Sequence, residues 1–235
     1  MVVDPSGKFA YVANLEGCSF LQSGDVSTYA IDAATGILSS TGTIGAGVCP
    51  WSVAVDPSSK FAYVANRGDC DSGGLGSVST YRIDAATGTL NSTGTIGAGT
   101  CPVSVAVDPS GRFVYVANEF SNVSRYTVDP GTGALTSTGT TTAGYVTESV
   151  VVHPSGKFVY VANSGSNNVS MYTINAATGA LTSIGTVPAE MSPWSIAIDP
   201  SGTFAYVANF ASNSISIYNI DAATGVLTSI GRIGT

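Results

Sequence analysis

Apolar and polar positions along this chain alternate in short runs that return five times. Unit four shows the pattern: Ser149-Val-Val-Val152, the turn His153-Pro-Ser-Gly156, then Lys157-Phe-Val-Tyr-Val-Ala-Asn163, rich in β-branched and aromatic side chains. After Ser164-Gly-Ser-Asn-Asn168 come the largely alternating Val169-Ser-Met-Tyr-Thr-Ile-Asn175, the turn Ala176-Ala-Thr-Gly179 and Ala180-Leu-Thr-Ser-Ile-Gly-Thr-Val187. The pattern predicts four strands per unit and almost no helix, because no stretch keeps an uninterrupted helical period. The first strand is apolar nearly throughout, which places it innermost at a crowded axis. The fourth is rich in Thr and Ser, as an outer edge should be.

The turn motif is Asp4-Pro-Ser-Gly-Lys-Phe9, then Asp56-Pro-Ser-Ser-Lys-Phe61, Asp108-Pro-Ser-Gly-Arg-Phe113, His153-Pro-Ser-Gly-Lys-Phe158 and Asp199-Pro-Ser-Gly-Thr-Phe204, each followed one residue later by Tyr-Val-Ala-Asn. Strand-rich units repeating at this spacing cannot bury their apolar faces alone, so neighbours must supply the core. The expected architecture is all-β: one β-propeller domain over 1–235, with five four-stranded antiparallel blades at about 1–48, 49–100, 101–145, 146–191 and 192–235. Met1 aligns with Val53, inside the first strand of the next unit, so the start reads as lying within a repeat, with a leader or further repeats expected upstream.

Tyr-Val-Ala-Asn after a Pro-Ser-Gly turn, followed by Ser-Asn-Asn-Val-Ser and Ala-Ala-Thr-Gly-Ala-Leu, resembles the YVTN-type repeats of the lactonase-like β-propeller family, and does so in all five units. The resemblance implies seven blades as the usual number, so five units form either a smaller closed ring or a portion of a seven-bladed one. It implies no single activity, since the fold carries 6-phosphogluconolactonase-like hydrolases, muconate-cyclising enzymes and surface proteins without established catalysis. No family catalytic residue is carried over onto this chain.

Charged residues make up only 10%, with 8 basic against 15 acidic, so the polar exterior must come from Ser, Thr, Asn and Gly. Without a basic run, nucleic acid is an unexpected partner, and no apolar stretch is long enough to insert in a membrane as a helix. Cys18 and Cys70 follow Tyr-Val-Ala-Asn by four residues, and Cys49 and Cys101 immediately precede the Pro of the next unit. Cys18–Cys49 and Cys70–Cys101 bridges are expected, against the alternative of small buried thiols filling loop gaps. Such bridges imply an oxidising location: extracellular, cell surface or periplasmic.

Candidate chemistry lies on the face where the loop after the second strand meets the link to the next blade. Aligned links place Trp51, Val103, Glu148 and Trp194 at one position near the axial channel. Trp51, Glu148 and Trp194 there suit a flat polar ligand such as a sugar, or else pack between blades. Asp69 and Asp71 faintly resemble a calcium loop but lack a downstream Glu, so no metal and no cofactor is expected. Arg67-Gly-Asp69 and the glycosylation-type sequences at Asn91, Asn122 and Asn168 have bland explanations as loop sequence. His153 reads as a substituted turn residue, and the arginines occupy scattered repeat positions. The expected function is therefore a non-enzymatic, disulfide-pinned binding face for a glycan or protein. The alternatives are a lactonase-like hydrolase or isomerase, and a structural module of a larger array that self-associates if its ring is open. Convergence of Glu148 and a basic side chain within one pocket discriminates in favour of the enzyme.

Overall fold

The computed structural model describes residues 1–15, 22–70 and 73–235. They form five antiparallel four-stranded sheets, each with its strands in chain order. Blade one comprises Val2–Val3, Phe9–Asn14, Ser23–Ile31 and Leu38–Val48; blade two Pro50–Val55, Phe61–Asn66, Leu75–Ile83 and Leu90–Thr100; blade three Pro102–Val107, Phe113–Asn118, Asn122–Val128 and Leu135–Thr142. Blade four comprises Thr147–Val152, Phe158–Asn163, Asn168–Ile174 and Leu181–Pro188, and blade five Pro193–Ile198, Phe204–Asn209, Ser214–Ile220 and Leu227–Gly234. The first strands pack on one another in sequence around the axis, as a propeller requires.

Each turn residue has a definite task. The Asp56 carboxylate accepts the backbone N–H groups of Ser58, Lys60 and Phe61 at 3.0, 2.7 and 2.6 Å, closing the first hairpin. His153 reproduces only the first of these bonds: its Nδ1 accepts the Ser155 N–H at 3.0 Å. Its Nε2 lies 2.8 Å from the Gly202 carbonyl of blade five, so Nε2 must carry the proton. In the last hairpin the Asp84 carboxylate accepts from Ala86 and Thr87, and bonds from Thr87 foremost hold its pKa below the ordinary value. The repeated Asn also does more than cap a turn: Asn66 Nδ2 donates to Ser77 and Ser79 of the third strand, while its Oδ1 accepts the Gly47 N–H.

Adjacent blades are joined by one recurring set of contacts. Phe9, Phe61, Phe113 and Phe158 lie against the turn glycines Gly88, Gly133, Gly179 and Gly225 of the following blade, so closely that a Cβ there would meet the ring at 2.2–2.4 Å. Those glycines also have φ of 70–75°, a second reason for their identity. Beside them, Tyr11, Tyr115 and Tyr160 donate to the carbonyls of Gly88, Gly179 and Gly225 at 3.1, 3.0 and 2.8 Å. Tyr63 is equally buried, but its hydroxyl has no partner. Burial pushes the pKa of all four hydroxyls far up, keeping them protonated. In the reverse direction Tyr81, Tyr126, Tyr172 and Tyr218 donate to Gly45, Gly97, Thr142 and Pro188 of the preceding outer strand, at 2.7–2.9 Å. A register slip before each of these tyrosines aims it across the junction.

Four apolar clusters result, one per consecutive blade pair, and among the described residues none joins blade five to blade one. Burial is deepest in the second strands, not the first as hydropathy alone suggests: Phe61–Asn66 is buried throughout, whereas Pro50–Val55 is partly open. The second strand lies between two neighbouring sheets, while the first borders the axial space. In the fifth blade, among the described residues, the second strand is buried only at alternate positions.

Candidate functional site

Each link ends in a residue held in the left-handed conformation: Cys49, Cys101, Val146 and Ser192, with φ of 54–56°. That conformation is uncommon for non-glycine residues and most costly for the β-branched Val146. It aims each carbonyl at the residue that follows the repeated Asn. Cys49 thereby accepts the Arg67 N–H at 2.8 Å, Cys101 that of Glu119 at 2.9 Å, Val146 that of Ser164 at 2.7 Å and Ser192 that of Phe210 at 2.8 Å. Two residues beyond each left-handed position stand Trp51, Val103, Glu148 and Trp194. Every link thus pairs two variable side chains on an otherwise repeated frame.

The pairs from blades two to four converge. The Arg67 guanidinium lies 5.1 Å from the Trp51 ring centre and donates through Nη2 to Glu119 Oε2 at 2.6 Å. Its Nε is buried without an acceptor. Glu148 Oε1 accepts from Ser164 Oγ at 2.9 Å. Burial raises the Glu148 pKa; the Ser164 bond and the Arg67 charge oppose this, while the Glu119 charge adds to it. Glu148, Glu119 and Arg67 therefore share one electrostatic neighbourhood. Thr147 anchors the link here by donating its hydroxyl to the Asn118 carbonyl and its N–H to that of Glu119.

The Cys70–Cys101 bridge, with Cα atoms 5.4 Å apart, ties the loop beyond Arg67 to the left-handed residue that fixes Glu119. Cys49 is disulfide-bonded too; its expected partner Cys18 lies outside the described residues. Among the described residues the one group of three metal-ligand types is Cys70, Cys101 and Glu119, whose ligand atoms lie within 4.8 Å of one another. Both sulfurs are spent in the disulfide, so this group is not a ready metal site. Asp71 lies outside the described residues, and Asp69 joins no such group.

Of the residues singled out in the sequence, Trp51 and Glu148 meet one cluster. Trp194 instead pairs with Phe210, ring centres 5.7 Å apart, on blade five. The Arg67–Glu119 pair has one signal in the sequence: the residue after the repeated Asn is Leu15, Arg67, Glu119, Ser164 and Phe210 in turn. Basic side chains also gather elsewhere. Lys8, Lys60 and Arg82 line a cavity of about 500 Å³ between blades one and two, beside the turn carboxylates Asp4 and Asp84.

A family model for lactonases with a seven-bladed β-propeller matches residues 50–151 and 145–233. No curated protein matches the sequence. A functionally unknown protein from Desulfotomaculum acetoxidans superposes with a TM-score of 0.81 at 17% identity, covering 100% of this chain and 69% of that one. A provisionally named 6-phosphogluconolactonase from Bacteroides uniformis gives 0.71 at 18% identity, covering 98% and 83%. The periplasmic gluconolactonase PpgL of Pseudomonas aeruginosa gives 0.63 at 17%, covering 98% and 84%. At these identities the structures share the fold.

Proposed function

This chain belongs to the lactonase family of seven-bladed β-propellers, and we propose that it hydrolyses small neutral sugar lactones at the mouth of its axial channel. The observation that carries this reading is the convergence of Glu148, with its raised pKa, on Arg67 and Glu119. A carboxylate whose affinity for protons is increased by burial suits general-base work near neutral pH. In the proposed step Glu148 takes a proton from water, and the water oxygen bonds to the lactone carbonyl carbon. The Arg67 Nε–H, a buried donor without an acceptor, supports the oxyanion. The ring C–O bond then breaks, Glu148 returns its proton to the departing alkoxide, and the product is the open-chain hydroxy acid.

Charge selects against phosphorylated substrates. Two carboxylates and one guanidinium, already paired, leave this cluster net negative, so a phosphate dianion is repelled where a neutral lactone is not. The Cys70–Cys101 bridge supports an oxidising compartment, in keeping with the periplasmic protein of the same fold. The test compares glucono-1,5-lactone with its 6-phosphate, using wild type, Glu148→Gln and Ser164→Ala. Turnover of the neutral lactone should fall at least ~100-fold in Glu148→Gln and survive Ser164→Ala. Equal turnover by wild type and Glu148→Gln, or preference for the phosphate, would sink the reading.

A second reading, sugar binding without turnover, is favoured by the prior commitment of Arg67 to Glu119 above the Trp51 ring. It predicts saturable glycan binding lost in Trp51→Ala with no lactone consumed by any variant.

A further inference from the structure

Two neighbouring junctions of this propeller share one frame and differ in charge. The cavity of about 500 Å³ between blades one and two is repeated between blades two and three at about 350 Å³, where Asp56, Ser58, Lys60 and Phe61 replace Asp4, Ser6, Lys8 and Phe9. What differs on a repeated frame is what the fold itself does not require. Among the described residues Lys60 is the one cation lining the smaller cavity, whereas Lys8, Lys60 and Arg82 all line the larger. Arg82 stands where blade three has Thr127: it pairs with Phe61 across the second and third strands, as Thr127 pairs with Phe113.

Ser59 is the second departure. The first hairpins of the other four blades turn on Gly7, Gly111, Gly156 and Gly202 at φ of 69–73°, but blade two turns on Ser59 at 55°. A non-glycine residue is disfavoured in that conformation, so folding alone does not account for it. The neighbouring junction shows what the side chain reaches, since a Cβ on Gly111 would lie 4.0 Å from Asp56 Oδ2. Ser59 in the same way brings its hydroxyl to the Asp4 carboxylate, which already accepts the N–H groups of Ser6, Lys8 and Phe9 at 3.2, 3.0 and 2.8 Å. Burial would raise the Asp4 pKa, but the bonds from Ser6, Phe9 and Ser59 outweigh it and hold the carboxyl below its ordinary value. Asp84, the other carboxylate of this cavity, is engaged by the N–H groups of Ala86 and Thr87.

The three cations are in the opposite condition. Among the described residues the side chains of Lys8, Lys60 and Arg82 make no ion pair and no hydrogen bond, while Arg112, the counterpart of Lys60 on blade three, donates to the carbonyls of Ala176 and Ala177. Three unpartnered cations thus line one cavity whose two carboxylates are occupied by their own turns. Their mutual repulsion is relieved by an anion placed among them. We propose that this cavity binds a small organic molecule through a multiply charged oxyanion group, of the phosphate-ester or polycarboxylate kind. Arg82 offers its planar fork to two oxygens, Lys8 and Lys60 act as point charges, and the hydroxyls of Ser6 and Ser58 meet the polar remainder of the ligand. The site lies at the hairpin ends of the blades, opposite the link ends that carry Glu148, and it selects the charge that the Glu148 cluster repels.

The test is calorimetric titration of the full chain with inorganic phosphate and, separately, with citrate, at low ionic strength because salt screens such contacts. One saturable site is expected. Tighter binding of phosphate identifies a phosphate ester as the ligand class, and tighter binding of citrate a polycarboxylate. Arg82→Thr combined with Ser59→Gly gives this junction the residues of the one beside it, a combination the fold already accepts, and should weaken binding at least about tenfold, the worth of hydrogen bonds to a charged group. Lys8→Gln, at an exposed side chain without a partner, should weaken it as well. Arg112→Gln removes a cation of the same face that is committed to blade four, and should leave binding unchanged. No saturable binding of either anion, binding indifferent to the double variant or to Lys8→Gln, or an equal loss in Arg112→Gln would each overturn the inference.

Discussion

Arg67 reaches across the boundary between blades two and three to bond Glu119 at 2.6 Å, and Glu119 in turn acts on Glu148 through its charge. Neutralising Glu119 removes a repulsion that helps to raise the Glu148 pKa. Glu119→Gln should therefore move the acidic limb of the lactone-hydrolysis pH profile to lower pH. An unmoved or rising limb would show that Glu148 is not the titrating base. Arg67→Lys keeps the charge but loses the buried Nε–H and the planar fork, so kcat/KM should fall about 100-fold.

Glu148 also has a signature in stability. Its folded-state pKa lies above that of the unfolded chain, so its ionisation opposes folding. The folded state is favoured by this group below the unfolded pKa, and that advantage is lost as pH rises through the folded value. Glu148→Gln should consequently melt slightly higher than wild type at pH 7 and no higher at pH 4. A melting temperature lowered equally at both values would mean that the side chain is held by packing alone.

Two tyrosines at equivalent positions should respond oppositely to the same substitution. The Tyr160 hydroxyl donates to Gly225 at 2.8 Å, whereas that of Tyr63 is buried with no acceptor. Tyr160→Phe should cost about 1 kcal/mol, and Tyr63→Phe should be neutral or mildly stabilising, because it removes an unpaired buried polar group. Urea denaturation of the two variants compares them directly.

The bridge between Cys70 and Cys101 spans 31 residues, and a loop of that length implies a loss of about 3–4 kcal/mol on Cys70→Ser with Cys101→Ser. Activity should drop as well, since Cys101 supports Glu119 through its carbonyl. Peptide mapping of unreduced protein should recover the Cys70–Cys101 crosslink. The same map tests the expected Cys18–Cys49 pair, which a Cys49–Cys70 crosslink would disprove.

Strands, hairpins and blade number were legible because each blade repeats the same turn chemistry: Asp56 and its counterparts close one hairpin, and Asp84 and its counterparts the other. The substitution of His153 was legible as well, since its neighbours remain Pro154 and Ser155. The polar cluster was half legible. Aligning the links isolates Trp51 and Glu148, but Arg67 and Glu119 meet only because one repeat separates them in sequence and one junction separates them in space. A search for adjacent charges cannot register that relation. Alignment equates Trp194 with Trp51 and Glu148, but it does not show that the ring meets Phe210 on its own blade, because that contact depends on the variable residue after Asn209.

The left-handed residues before each first strand have a consequence for how such a protein changes over time. Cys49, Cys101, Val146 and Ser192 grip the backbone, not the side chain, of the residue that follows Asn. Arginine, glutamate, serine and phenylalanine can therefore occupy that position in successive blades without altering its course. Whole blades can be duplicated or exchanged as cassettes, each carrying its own two recognition side chains into the same geometric slot. Ligand preference in this architecture can drift by reshuffling units, while the chemistry that folds them stays constant.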